Sequence, residues 1–201
     1  MRRVVVLLAL LALALPVAVW ADTIDLTNQY GSISVSSAGI SSTNSELKSF
    51  NSITAPKGHS LGYVNFTTGA LSSGTIAGGG TFSDVGSSFT VVGKGSSGIP
   101  KGLIFSGAFS SPITWTLTSG SSGNLTYTLS GQITGMLYNG HAAIGSTTQY
   151  IYSSKGQLSQ GIGHIRMGTT GLSSTPEPGT LGLLGTGLVG IAEIFRRRKA
   201  A

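Results

Sequence analysis

The chain has no cysteine among its 201 residues. Thiol nucleophiles, cysteine-ligated zinc sites and disulfide frameworks are therefore all excluded. Charge is scarce as well: 9% of residues are Asp, Glu, Lys or Arg, and only six are acidic. Between residues 22 and 175 the acids are Asp22, Asp25, Glu46 and Asp84, and His59, His141 and His164 stand apart, with no second histidine at ligand spacing. Metal-assisted hydrolysis and paired-carboxylate glycoside cleavage need clusters that this spacing does not supply. An exported hydrolase stays open only through distant residues converging in space. What the chain does have is 31 glycines and 40% hydrophobic residues, which rules out a highly charged disordered polymer. The glycines follow no Gly-X-Y period, so a collagen-like repeat is excluded too.

The net charge of +6 suggests nucleic acid until its distribution is read. Arg2 and Arg3 contribute +2, and residues 176–201 contribute another +2, from Arg196, Arg197, Arg198 and Lys199 against Glu177 and Glu193. The middle carries six bases against four acids, scattered without a basic run. This distribution gives no nucleic-acid footprint, and no nucleic-acid partner is expected.

Both ends read as addresses. After Arg2 and Arg3 comes an unbroken apolar run, Val4 to Leu15, then Pro16 and small residues through Ala21. A basic start, a short apolar stretch and a small-residue exit make a secretory signal peptide over residues 1–21, cut after Ala21. Residues 179–195 form a second apolar stretch, interrupted only by Glu193 and closed by Arg196, Arg197, Arg198 and Lys199. As a helix it would reach ~26 Å, enough for a thin or locally compressed bilayer. The positive-inside rule keeps both basic clusters cytoplasmic and places residues 22–175 outside the inner membrane. Gly182, Thr186 and Gly190 recur every four residues, a small-residue face on which another helix can pack.

Immediately before that stretch stand Pro176, Glu177 and Pro178. The two prolines disfavour helix and hold the segment extended, as a peptide entering a protease cleft must be. Pro-Glu-Pro, a glycine-rich apolar segment and a basic end, in that order, closely resemble the PEP-CTERM sorting signal over about residues 175–199. The resemblance implies recognition of Pro176, Glu177 and Pro178 by an exosortase-type membrane protease-transpeptidase, with Arg196 to Lys199 as the cytoplasmic stop. It also implies the family's general link to exopolysaccharide and biofilm matrix in Gram-negative bacteria. Glu193 departs from the usual pattern, though it lies near enough to the end to reach the interface.

The middle, residues 22–172, is a succession of short alternating segments rich in Thr, Ser, Val, Ile and aromatics, punctuated by glycine. That pattern predicts an all-β antiparallel domain, with a β-sandwich or jelly roll as the expected architecture. Eleven strands are read: 23–27, 31–36, 46–53, 60–67, 74–82, 88–93, 102–109, 112–119, 124–134, 147–153 and 162–167. The clearest hairpin is 112–134, where Ile113, Trp115 and Leu117 face the core together with Leu125, Tyr127, Leu129 and Ile133. Residues 173–178 are read as a linker, and 196–201 as the basic cytoplasmic tail.

On the opposite face of that hairpin, Thr114, Thr116 and Thr118 repeat every second residue, with Thr126 and Thr128 expected beside them. Such a grid can match ordered water or glycan hydroxyls, although threonine is also an ordinary strand former on a wet face. Gly93, Gly95 and Gly98 have dinucleotide-loop spacing, but Ile99, Pro100 and Lys101 follow instead of a helix, and chance explains the match. Ser45 and Lys48 are spaced as a serine–lysine pair without its companion motifs. Asn65 and Asn124, in Asn-x-Thr contexts, reflect β-rich composition. The expectation is a non-enzymatic exported protein without a cofactor. It is held at the inner membrane before processing and then found at the cell surface or in the matrix. A carbohydrate- or ice-binding module using the threonine face is the alternative.

Overall fold

A computed structural model of the chain describes residues 23–121, 124–153, 163–175 and 187. Ala21 and the signal peptide, Pro176 to Pro178, the 179–195 stretch with Gly182, Thr186 and Gly190 (Gly187 apart), and Arg196 to Lys199 lie outside the described residues. Among the described residues no helix is long and apolar enough to cross a membrane.

Among the described residues twelve antiparallel strands follow one another: β1 (Thr23–Ser36), β2 (Gly39–Phe50), β3 (Ile53–Thr54), β4 (Gly62–Thr67), β5 (Leu71–Thr75), β6 (Gly79–Phe82), β7 (Ser88–Lys94), β8 (Lys101–Phe109), β9 (Ile113–Ser121), β10 (Asn124–Leu137), β11 (Ala142–Ser153) and β12 (Gly163–Ser174). Eight of them close into a barrel in the order β10, β11, β12, β1, β2, β4, β7, β8 and back to β10. The all-β antiparallel class is as expected, but the architecture is a barrel with a wing instead of the expected sandwich or jelly roll. The reason lies in β10. One edge pairs with β11 from Leu125 to Met136, while the other forks, taking β9 along its first half and β8 from Ile133 onward. At the fork sits Gly131, where a Cβ would come 2.6 Å from the Phe109 ring, so the branch is possible only without a side chain. Beyond β9 the wing continues through β6 to β5. Closure satisfies backbone groups that an open sheet would leave at its edges.

Strand limits differ where glycine interrupts the pattern. Segments 23–27 and 31–36 are one strand, β1, which passes a bulge at Tyr30 (φ 63°) and Gly31 (φ 80°). A Cβ on Gly31 would fall 2.6 Å from the Ser45 amide nitrogen, which makes glycine obligatory there. Segment 74–82 is two strands, β5 and β6, because the chain reverses between Gly74 (φ 82°) and Gly79 (φ 102°), both in backbone conformations that favour glycine.

Eight strands leave an interior that side chains just fill. One part is aromatic: Phe66 stacks on Phe89 at 6.1 Å, and Phe105 and Phe109 meet Phe89 edge-on. Another part is polar. Asn28 Nδ2 donates to Ser45 Oγ (2.7 Å) and Gln149 Oε1 (2.9 Å), and Gln149 Nε2 donates to Asn28 Oδ1 (3.2 Å) and Thr147 Oγ1 (2.8 Å). Thr147 and Thr170 share a further hydroxyl bond at 2.8 Å. The network is buried, and its donors and acceptors satisfy one another, as burial demands. Outward positions are mostly serine and threonine. This is the inverse of a lipid-facing barrel, which is apolar outside and polar within.

Two buried aromatics pin the wing. Trp115 Nε1 donates to the Ile76 carbonyl at 2.8 Å, and the Tyr127 hydroxyl donates to the Ala77 carbonyl at 2.9 Å, both in the β5–β6 turn. Burial pushes the Tyr127 phenol above its ordinary value of 10.0. The neutral form is the one stabilised by folding, so its contribution is full below about pH 10 and is lost as pH rises toward the folded value. Tyr127→Phe should therefore cost about 1 kcal/mol at neutral pH, and the deficit should shrink in urea titrations run above about pH 10. An unchanged deficit at alkaline pH would contradict this.

Candidate functional site

The predicted hairpin positions the threonine face. Strand alternation turns Ile113 and Trp115 inward and leaves Thr114, Thr116 and Thr118 exposed. The register pairs Thr116 with Thr128 and Thr114 with Ser130, and after a register shift Ser119 with Thr126, while Thr118 reaches this face through its hydroxyl contact with Thr128. Thr126 and Thr128 are half-buried, and the Thr118 and Thr128 hydroxyls bond each other at 2.5 Å. Leu117 departs from expectation: it is 39% exposed. The β6 partner reaches only from Ile113 to Trp115, so β9 outruns its cover at that point.

The structure extends this face well beyond the hairpin. Neighbouring strands bring Thr114, Ser130, Thr148, Thr169, Thr27, Ser49 and Thr54 into one row across β9, β10, β11, β12, β1, β2 and β3. Within it Thr27 and Ser49 share a hydrogen bond of 2.7 Å, and Ser130 and Thr148 one of 3.3 Å. Each hydroxyl can donate once and accept twice, which leaves capacity for a ligand after these bonds. Around Thr27, Ser49, Thr148 and Thr169 the wall sinks into a depression of about 310 Å³, with Asp25 and Ser146 on its lining. A second hollow of about 420 Å³ is lined by Gln29, Thr126, Tyr150, Arg166 and Met167. Sequence reading missed this row because its members come from strands far apart in the chain. The local signal was only outward Ser or Thr at alternate positions.

Other candidates are dispersed. Ser45 points into the barrel and bonds Asn28, whereas Lys48 points outward to Glu46 and the His59 carbonyl. Their side chains thus leave β2 on opposite faces. Gly95 and Gly98, both at positive φ, lie in the turn joining the hairpin strands β7 and β8, not at the start of a helix. Among the described residues, no group of three His, Cys, Asp or Glu side chains is placed to hold a metal ion.

The barrel's last strand, β12, ends at Ser174. There a family model for sorting signals begins to match, through residue 199. Residues 174–199 carry a PEP-CTERM protein-sorting motif. The PEP-CTERM segment implies export, membrane anchoring before processing and an exosortase-type processing enzyme as partner. No curated protein and no solved structure is significantly similar to the chain.

Proposed function

We propose that this is a non-enzymatic protein of the cell surface or extracellular matrix, associated with exopolysaccharide and biofilm. Its secretory signal is removed after Ala21, and its C-terminal helix holds it at the inner membrane until an exosortase-type protease acts at the segment marked by Pro176, Glu177 and Pro178. The observation that carries this reading is the PEP-CTERM segment, which follows directly on a closed, hydroxyl-coated barrel. Arg196 to Lys199 act as the cytoplasmic stop, and the Gly182, Thr186 and Gly190 face offers a contact for a partner helix. Deleting residues 176–199 and fractionating cells tests the assignment. Most of the protein should leave the membrane and surface fractions and appear as a soluble exported species. Unchanged surface retention would refute it.

A second reading, a carbohydrate- or ice-binding module, is favoured by the exposure of Thr114, Thr116 and Thr118 in one line on β9. Ice fits the geometry less well than glycan. Adjacent strands twist by roughly 20 to 25°, so a row of hydroxyls wrapped around a closed barrel departs from a plane within a few strands.

A further inference from the structure

We infer that the outer wall made by β11, β12 and β1 is a binding cleft for a neutral polysaccharide chain, with a carboxylate at one end and an aromatic ring at the other. The inference deepens the exopolysaccharide reading above and rests on it for the partner's class, while the location and chemistry come from the wall itself.

The two hollows described above are neighbours on one surface. Thr148 and Tyr150 are successive outward residues of β11, as are Thr27 and Gln29 on β1. On β12, Thr169 and Met167 pair with Thr148 and Tyr150. Each hollow is shallow and open, and the two-residue spacing of Thr148 and Tyr150 sets them one after the other along the strands, as neighbouring subsites of one trough-like wall. Small ligands are usually enclosed by 70–90%, which needs a deep pocket, whereas an open trough suits a polymer that enters and leaves.

Asp25 closes one end. Its backbone is held on both sides, its N–H donating to Asn51 Oδ1 (2.9 Å) and its carbonyl accepting from the Asn51 N–H (2.8 Å). The residue is therefore fixed while its side chain stays exposed. Across from it lies Gly171, where a Cβ would approach the carboxylate to 3.3 Å, so the glycine keeps space open beside that group. An ionised carboxylate only accepts hydrogen bonds, and its partner must bring donors. Sugar hydroxyls do so, and the hydroxyls of Thr27, Ser49 and Thr169 can both give and receive along the chain. At the far end the Tyr150 ring and Met167 offer an apolar surface for the C–H face of a sugar ring.

Charge decides between neutral and acidic polymers. The lining of the two hollows carries one carboxylate, Asp25, and one guanidinium, Arg166, so it holds no excess of positive groups to pair with a polyanion.

The test uses the full chain in a nonionic detergent, sedimented with cellulose, cross-linked dextran or calcium-alginate beads. Sedimentation with cellulose or dextran is expected, with no gain on alginate. Asp25→Asn, which keeps shape and removes charge, and Tyr150→Ala should each weaken retention about tenfold, the scale of one lost hydrogen bond to a charged group or one lost ring contact. Thr90→Ala should retain like the parent, since β7 lies opposite β12 in the ring. Far-ultraviolet circular dichroism checks that Tyr150→Ala still folds, and Asp25→Asn carries the test if it does not. The inference is overturned if neither neutral polymer retains the parent chain, if alginate retains it more tightly, or if Asp25→Asn and folded Tyr150→Ala bind normally. Cell fractionation of the tail-deleted chain reads sorting separately. Tail-dependent retention without neutral-polymer binding would remove the cleft and leave the sorting assignment standing.

Discussion

Trp115→Ala is expected to lower the thermal unfolding midpoint by roughly 10 °C, from a loss of about 3 to 5 kcal/mol in a domain of this size. The side chain is 1% exposed, lies parallel to the Tyr127 ring at 4.6 Å and meets Phe82 edge-on at 6.3 Å. Its truncation removes packing on both sides and leaves a cavity that rigid neighbouring strands cannot fully close. It also strips the Ile76 carbonyl of its indole donor. Trp115→Phe separates the two losses, keeping most of the apolar contact while deleting the hydrogen bond, and should cost only about 1 to 2 kcal/mol. The local consequence is also measurable. The β5–β6 turn is held by Trp115 and Tyr127, so amide exchange between Thr75 and Gly79 should accelerate in Trp115→Ala before the barrel itself opens. A midpoint within 2 °C of the parent would show that the wing contributes little to cooperative stability.

That contrast between wing and barrel shows how far local pattern carries. Alternation alone assigns Trp115, Tyr127, Leu129 and Ile133 to the core, and all four are buried. It also sets Thr114, Thr116 and Thr118 outside. It cannot reveal that β10 has two partners on one edge, since this depends on where β8 and β9 end relative to Gly131. Barrel closure was hidden for the same reason, and with it the hydroxyl row, whose Thr27 and Thr169 pair across more than half the chain. The sorting segment, by contrast, is a linear motif. Its information lies in the order of proline, glutamate, apolar stretch and arginines, so it could be read without any fold. Gln149 was missed because an amide in a strand is ordinarily counted as outward, and Asn28 because it falls between the two segments, 23–27 and 31–36, read as separate strands. The correct frame was present in β11, where Gln149 shares its parity with Ala143 and Ile151, both fully buried.

Gly168→Ala probes that hidden amide pair and should cost about 3 kcal/mol or more in urea unfolding. A Cβ built on Gly168 would stand 2.0 Å from Gln149 Oε1 and 2.3 Å from Asn28 Oδ1, the two oxygens through which the amides bind each other. Side-chain ends can often yield to a new methyl group, but these are locked. Asn28 is also bonded to Ser45, and Gln149 to Thr147, which is itself bonded to Thr170. Moving either oxygen breaks buried bonds that water cannot replace, at about 1 to 3 kcal/mol for each group left unpaired. The mechanism has a distinctive signature in a double-mutant cycle. Gln149→Ala alone leaves a void and deprives Asn28 and Thr147 of one partner each. Added to Gly168→Ala, it removes the very atoms with which the new methyl collides. The two substitutions should therefore be less costly together than their sum by about 1 kcal/mol or more, since residues in direct contact couple on that scale. Additive costs would mean that the damage from Gly168→Ala arises in the β12 backbone and not in the polar network it faces.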